Sequence, residues 1–280
     1  GETGNIVGAG IGQRILEVAR PEGLRLEAIE IGKRVSKDLR AFYAARGNRP
    51  LWIGIDGRPQ PATTILLRQL ETADLDGLKP KTLRSGNLED ALANARANDV
   101  ASLAKAELNA SRGYVRFVQA LRKAPHAPMI YESDALAPVV PTAGAALQRA
   151  AAAKSLAGYL QDMGWMHPFY APLRAALGKP GYSAEQRRIV QVNMDRVRAL
   201  PPIAEGRWVL VDAAAARLWM YDGSRLAGTM KVVVGKPETQ TPAMAGFLRD
   251  MLRFTRTHIR DRYLIPITIE SGPVSGTMRV

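Results

Sequence analysis

The chain has 280 residues, no cysteine, 39 Lys and Arg against 26 Asp and Glu, and a formal net charge of +13. The missing cysteines exclude disulfide scaffolds, thiolate-ligated zinc, CxxC redox centres and cysteine nucleophiles among these residues. The three histidines form no HExxH pair, so no metal site and no cofactor is expected.

Residues 1–35 read as a flexible lead-in, with Gly1-Glu2-Thr3-Gly4 resembling a tag remnant. The run Gly8-Ala9-Gly10-Ile11-Gly12-Gln13 fails as a dinucleotide loop, because Gln13 stands where glycine is needed and no strand precedes it. From Ser36 to Pro202 the apolar spacing is mostly helical. Pro61–Thr72 opens on a proline at a helix start, and Asp76-Gly77 follows as a turn. Ser102 to about Arg122 gives the clearest helix, with Leu103, Ala106, Ala110, Tyr114, Phe117 and Leu121 on one face. Pro125, Pro128, Pro138 and Pro141 predict an irregular crossing, Ala143–Leu160 an alanine-rich helix, and Ala184–Leu200 a last helix stopped by Pro201-Pro202. At Gly206 the period changes from 3.6 to 2. Arg207–Asp212 reads as a strand, and Arg217–Tyr221 pairs with Arg225–Val234 through Asp222-Gly223 as a hairpin. The pattern is α+β: a lead-in over 1–35, a helical domain over 36–202 and a β-rich domain over 206–280. No apolar run reaches the ~18 residues of a membrane span.

The basic excess, with a pI of about 10.2, suits an anionic polymer such as a cell wall. No Lys/Arg run exceeds two residues, and no aromatic-studded basic stripe appears, so nucleic acid is not the expected partner. Neither Ser183 nor Ser275 sits in a G-x-S-x-G elbow, and no P-loop is present. Asp74, Asp76, Glu89 and Asp90 read as solvated carboxylates, and no spacing selects a glycosidase pair from them. His167 is expected to cap or line a turn. His258, among Arg256, Arg260 and Arg262, reads as a surface histidine.

Two series of motifs carry more information. In the first half stand Phe42-Tyr43-Ala44-Ala45-Arg46, Pro50-Leu51-Trp52, Asp76-Gly77-Leu78-Lys79-Pro80 and Glu107-Leu108-Asn109-Ala110-Ser111. His167-Pro168-Phe169-Tyr170-Ala171-Pro172-Leu173 and Asn193-Met194-Asp195-Arg196 complete that series. In the second half, the segment from Gly206 to Gly246 carries Leu218-Trp219-Met220-Tyr221, Val234-Gly235-Lys236-Pro237 and Thr241-Pro242. In this order, from Lys37 to Gly246, the chain resembles the large branch of the YkuD-type L,D-transpeptidases, which carry a helical scaffold domain. The resemblance implies an acyl transferase of bacterial peptidoglycan, exported to the periplasm, with stem peptides as substrate. It further implies carbapenem-type inhibitors wherever the family's cysteine exists, and makes Tyr221, Thr241 and Pro242 candidate walls of a substrate groove. Membrane anchoring stays open.

The bland readings of these residues stand beside the resemblance. Trp208, Leu210, Leu218 and Met220 would face the core of any β-domain, and Gly235 and Gly246 are backbone positions first. The family's chemistry needs a cysteine in a Ser-His-Gly-Cys context, a base and an oxyanion site. None of these is present, so no catalytic residue is assigned. The residues after Gly246 depart from the family pattern and are too few to complete its catalytic domain. Two explanations stay open: a truncated or divergent, inactive chain, or residues missing after Phe254. The alternative function is a catalytically inactive wall-binding or scaffold protein.

Overall fold

The structure is a computed structural model that describes residues 35–97, 99–123, 127–201, 206–236, 238, 241–248 and 262–267. The lead-in up to residue 34, the Gly8–Gln13 run, Pro125, Pro202, His258, Ser271 and Ser275 lie outside the described residues. Two compact units emerge. One holds the chain up to Ala120 together with Pro141–Asp162, and the other holds Leu121–Val140 and the chain from Met163 onward.

The first unit is helical. Its elements are α1 (Lys37–Ala45), α2 (Pro61–Glu71), a 3-10 turn (Ala73–Asp76), α3 (Pro80–Leu83), α4 (Ser85–Ala93), α5 (Val100–Leu121), α6 (Ala143–Ala152) and α7 (Leu156–Gln161). Ser36 starts α1 by accepting from Leu39 N, and Leu39, Phe42 and Tyr43 bury one face at helical spacing. Proline at the first position of α2 fixes φ where no N–H partner is needed. The 22-residue α5 is the spine: Leu103, Ala106, Ala110, Tyr114 and Phe117 are fully buried along it. Helix α1 packs on α6, and α2 on α7, where buried Gln69 donates from Nε2 to Leu160 O at 2.7 Å.

The second unit combines a mixed six-stranded sheet with α8 (Tyr170–Leu177) and α9 (Ala184–Ala199), which pack together. The strands are β1 (Ile130–Tyr131), β2 (Arg207–Asp212), β3 (Arg217–Asp222), β4 (Arg225–Lys231), β5 (Met244–Leu248) and β6 (Arg262–Ile267), in the order β1-β5-β6-β2-β3-β4. Strands β2, β3 and β4 form an antiparallel meander. Strand β6 lies parallel to β2 and antiparallel to β5, and β1 is parallel to β5. A capping box starts α9: Ser183 Oγ accepts from Gln186 N at 3.2 Å, and Gln186 Oε1 accepts from Ser183 N at 2.8 Å. The end of α9 is tied to residues 121–131 by polar bonds. Arg198 donates to Leu121 O (2.9 Å) and Lys123 O, Asp195 accepts from Ala127 N, and Tyr131 OH donates to Ala199 O at 2.6 Å.

The fold class is α+β, and the hairpin pairs as the alternation predicts, with Trp219 opposite Thr229 and Asp222 opposite Arg225. Gly223 takes a positive φ of 57° in the turn. Three details differ from the expected elements. The alanine-rich segment is two helices rather than one, because Ala153 is extended and Ser155 caps a new start by accepting from Gly158 N. Strand β4 ends at Lys231 rather than Val234, since its partner β3 begins only at Arg217, after the turn in which Ala216 holds φ 49°. The proline-rich crossing contains a short strand, β1, which pairs with β5. Among the described residues no helix is long and apolar enough to cross a membrane.

Candidate functional site

A polar knot sits in the first unit. Glu107 and Ser111 lie one turn apart on the buried stripe of α5, and both side chains are fully covered. Glu107 Oε1 accepts from Tyr43 OH (2.7 Å) and Leu51 N (2.6 Å), while Oε2 accepts from Trp52 N (2.9 Å) and Ile53 N (3.0 Å). Trp52 Nε1 donates to Ser111 Oγ at 2.8 Å, and Ser111 Oγ lies 2.6 Å from Tyr43 OH. Tyr43 spends its proton on Glu107, so Ser111 donates to Tyr43. A chain of donors then runs Trp52, Ser111, Tyr43, Glu107 and ends on the carboxylate. Burial pushes the Glu107 carboxyl above its usual range, against the pull of Tyr43 and the three backbone N–H groups. Burial and the neighbouring carboxylate push the Tyr43 phenol up as well. On the far side of the loop, Thr63 Oγ1 donates to Trp52 O at 2.5 Å. This knot fixes the Leu51–Ile53 backbone and offers no group to solvent.

The second unit holds the candidate substrate-binding residues. Tyr221 of β3 stacks on Trp208 of β2, with ring centroids 4.0 Å apart and planes 8° apart. Phe169 approaches both rings edge-on at 5.9 and 5.8 Å. Partial burial pushes the Tyr221 phenol up. Thr241 Oγ1 accepts from Gly235 N at 2.9 Å and closes the loop between β4 and β5, while Pro242 beside it is exposed. Thr241 and Pro242 lie in the loop that enters β5, and Tyr221 lies on β3. Strands β6 and β2 stand between β5 and β3, a span of roughly 14 Å at ordinary strand spacing.

His167 does line a turn, and it also joins the aromatic cluster. It is 1% exposed, its Nδ1 accepts from Phe169 N at 3.2 Å, and its ring meets Trp208 edge-on at 5.3 Å. The accepted bond places the ring proton on Nε2, which has no hydrogen-bond partner among the described residues. Burial lowers the imidazole pKa to about 3, so the ring is neutral at physiological pH. Buried this way, His167 does not reach a substrate as a base. Of the four carboxylates, Asp74, Glu89 and Asp90 are exposed, but Asp76 is buried at the end of the 3-10 turn instead of solvated. Ser183 is a helix cap. No group of three or more Asp, Glu or His among the described residues could hold a metal ion.

Sequence reasoning quoted Tyr43, Trp52, Glu107 and Ser111 without seeing that they meet. The signal was available: Glu107 and Ser111 interrupt an otherwise apolar stripe at positions adjoining Leu103, Ala106, Ala110 and Tyr114. A charge on such a stripe must find partners or not be charged. The four residues fall inside the segment that a family model identifies. The chain matches the model described as Scaffold domain over residues 37–177, half its length, and belongs to that family. Comparison with curated proteins found no relative that matches the chain.

Proposed function

We propose that this protein acts in bacterial peptidoglycan cross-linking, outside the cytoplasm, as a scaffold-bearing protein of the L,D-transpeptidase type, with stem peptides as its substrate. The observation that supports this reading is the order of parts: a family scaffold domain over residues 37–177, then a sheet whose hairpin and following loop carry Leu218–Tyr221, Gly235 and Thr241-Pro242. In that chemistry a thiolate attacks a stem-peptide amide carbonyl, expels the terminal residue as an amine and forms a thioester. The amine of a neighbouring stem then attacks the thioester and regenerates the thiol. No thiol is among the 280 residues, so their part is to hold substrate, with Tyr221, Thr241 and Pro242 as groove walls. The same lack of cysteine favours a second reading, a wall-binding scaffold with no catalytic step.

Cosedimentation with purified peptidoglycan tests binding. The chain is expected in the pellet with intact sacculi and in the supernatant after an amidase has stripped the stem peptides. Equal pelleting with both would make net charge the only attraction and overturn the reading. Incubation with a carbapenem is expected to leave the 30.4 kDa mass unchanged. An adduct would identify a nucleophile other than cysteine and overturn the positioning role.

A further inference from the structure

Strand β4 ends the sheet, and among the described residues nothing pairs with its outer edge. Its inner edge is set by β3, with Leu218 opposite Met230 and Arg217 opposite Lys231. A bond from Val232 N to Ala216 O, 3.0 Å long, continues this ladder, so Val232 turns its N–H inward. In an antiparallel ladder the alternate residues turn outward. Thr229 and Lys231 therefore present their N–H and C=O groups to the free edge, and Val233 follows at the next alternate position. Such a row of unpaired groups is a template for another strand.

Three further observations concern what fits there. Beyond Lys231 the chain runs Val232-Val233-Val234, three β-branched residues with strong strand preference. The strand stops short of them because β3 begins only after the Ala216 turn, which leaves them no partner on the inner side. Val233 is fully exposed and Met230 is 53% exposed, so the edge is apolar as well as open. The edge is also basic. Arg217 and Lys231 stand directly opposite each other, and neither has an ion pair among the described residues. Asp212, opposite Arg217 on β2, has its Oδ1 turned to Ala215 N at 3.0 Å, and Asp222 is held by Arg207 and Arg225 at the other end of the hairpin. Like charges directly opposite cost free energy, and a neighbouring carboxylate relieves that cost. A second copy supplies none: the antiparallel register that pairs residues 229–233 with themselves sets Lys231 against Lys231.

We propose that the outer edge of β4, from Thr229 to Val234, takes an extended acidic segment of another polypeptide as an added antiparallel strand. Residues of that segment opposite Thr229, Lys231 and Val233 share the face of Arg217 and carry the carboxylates. The residues between them lie on the side of Met230 and are apolar. This docking edge does not depend on the transpeptidase reading.

Fluorescence anisotropy of the 280-residue chain with a labelled, end-blocked peptide of alternating valine and glutamate tests it. Saturable binding is expected, with the valine–lysine counterpart bound about tenfold more weakly or worse. N-methylation of the glutamate amides, which face β4, should abolish binding. N-methylation of the valine amides, which face away, should leave it intact. Lys231→Glu should weaken the glutamate peptide about tenfold and favour the lysine peptide. Val233→Pro removes an edge N–H and should weaken binding several-fold. Both residues are exposed, and an unchanged thermal melt checks that the variants keep the fold. No saturable binding, equal loss from the two methylations, or binding unaltered by Lys231→Glu would each overturn the docking edge. Dimerisation of the chain alone in sedimentation, abolished by Val233→Pro, would make a second copy the occupant and overturn it equally.

Discussion

Glu107 accepts four hydrogen bonds in the interior of the helical unit. Its carboxylate is fully buried and answered by four donors, three of them consecutive backbone N–H groups of one loop. Removing the carboxylate leaves those donors dry and unpaired. Glu107→Leu is therefore expected to lower stability by about 3–5 kcal/mol. Glu107→Gln keeps one acceptor but turns an NH₂ toward other N–H groups, so it should recover only part of that loss. Urea denaturation of both variants checks the pair, and equal losses would show that shape, not acceptance, is what Glu107 supplies. His167 gives the opposite kind of dependence. Its folded pKa of about 3 lies below the ordinary 6.5, so between those values the unfolded chain binds the proton and the folded chain does not. Stability is full above pH 6.5 and is lost as pH falls toward 3, on the order of 3 kcal/mol between pH 7 and pH 4. His167→Gln should flatten that acid limb in denaturation curves at the two pH values. An unchanged slope would place the acid sensitivity elsewhere.

Secondary structure was legible where local chemistry decides it. Pro61 at the start of α2, the stripe of α5 and the turn at Gly223 all act within one element, and the elements formed as read. The break between α6 and α7 was hidden because alanine carries no marker of where a helix stops. The marker was Ser155, which accepts from Gly158 N and starts a new helix. Strand β1 was hidden for another reason: two residues give no period, and what makes Ile130-Tyr131 a strand is its partner β5, more than a hundred residues away. The α9 capping box makes a prediction at this scale. Ser183→Ala removes the acceptor for Gln186 N but keeps the backbone N–H that donates to Gln186 Oε1, at a cost of about 1 kcal/mol. The thermal melt should fall by a few degrees, and circular dichroism should show fraying confined to the first turn.

Over the whole molecule, what the sequence could not show was which distant residues converge. The knot needs Tyr43, the Leu51–Ile53 backbone and Glu107 together, and the aromatic cluster needs Phe169, Trp208 and Tyr221. Each set is assembled by packing between segments that periodicity treats separately.

The family segment and the packing units do not share an edge. The scaffold model runs to Leu177, through His167, Phe169 and all of α8, yet those residues pack with α9 and with Trp208 and Tyr221. What is inherited as one cassette is therefore not what folds as one. A chain cut at Leu177 would keep the whole inherited segment but leave His167 and Phe169 without the rings that cover them, and α8 without its companion helix. Recombination that moved the scaffold alone would carry a sticky end with it, so the scaffold and the strands that follow are constrained to travel together.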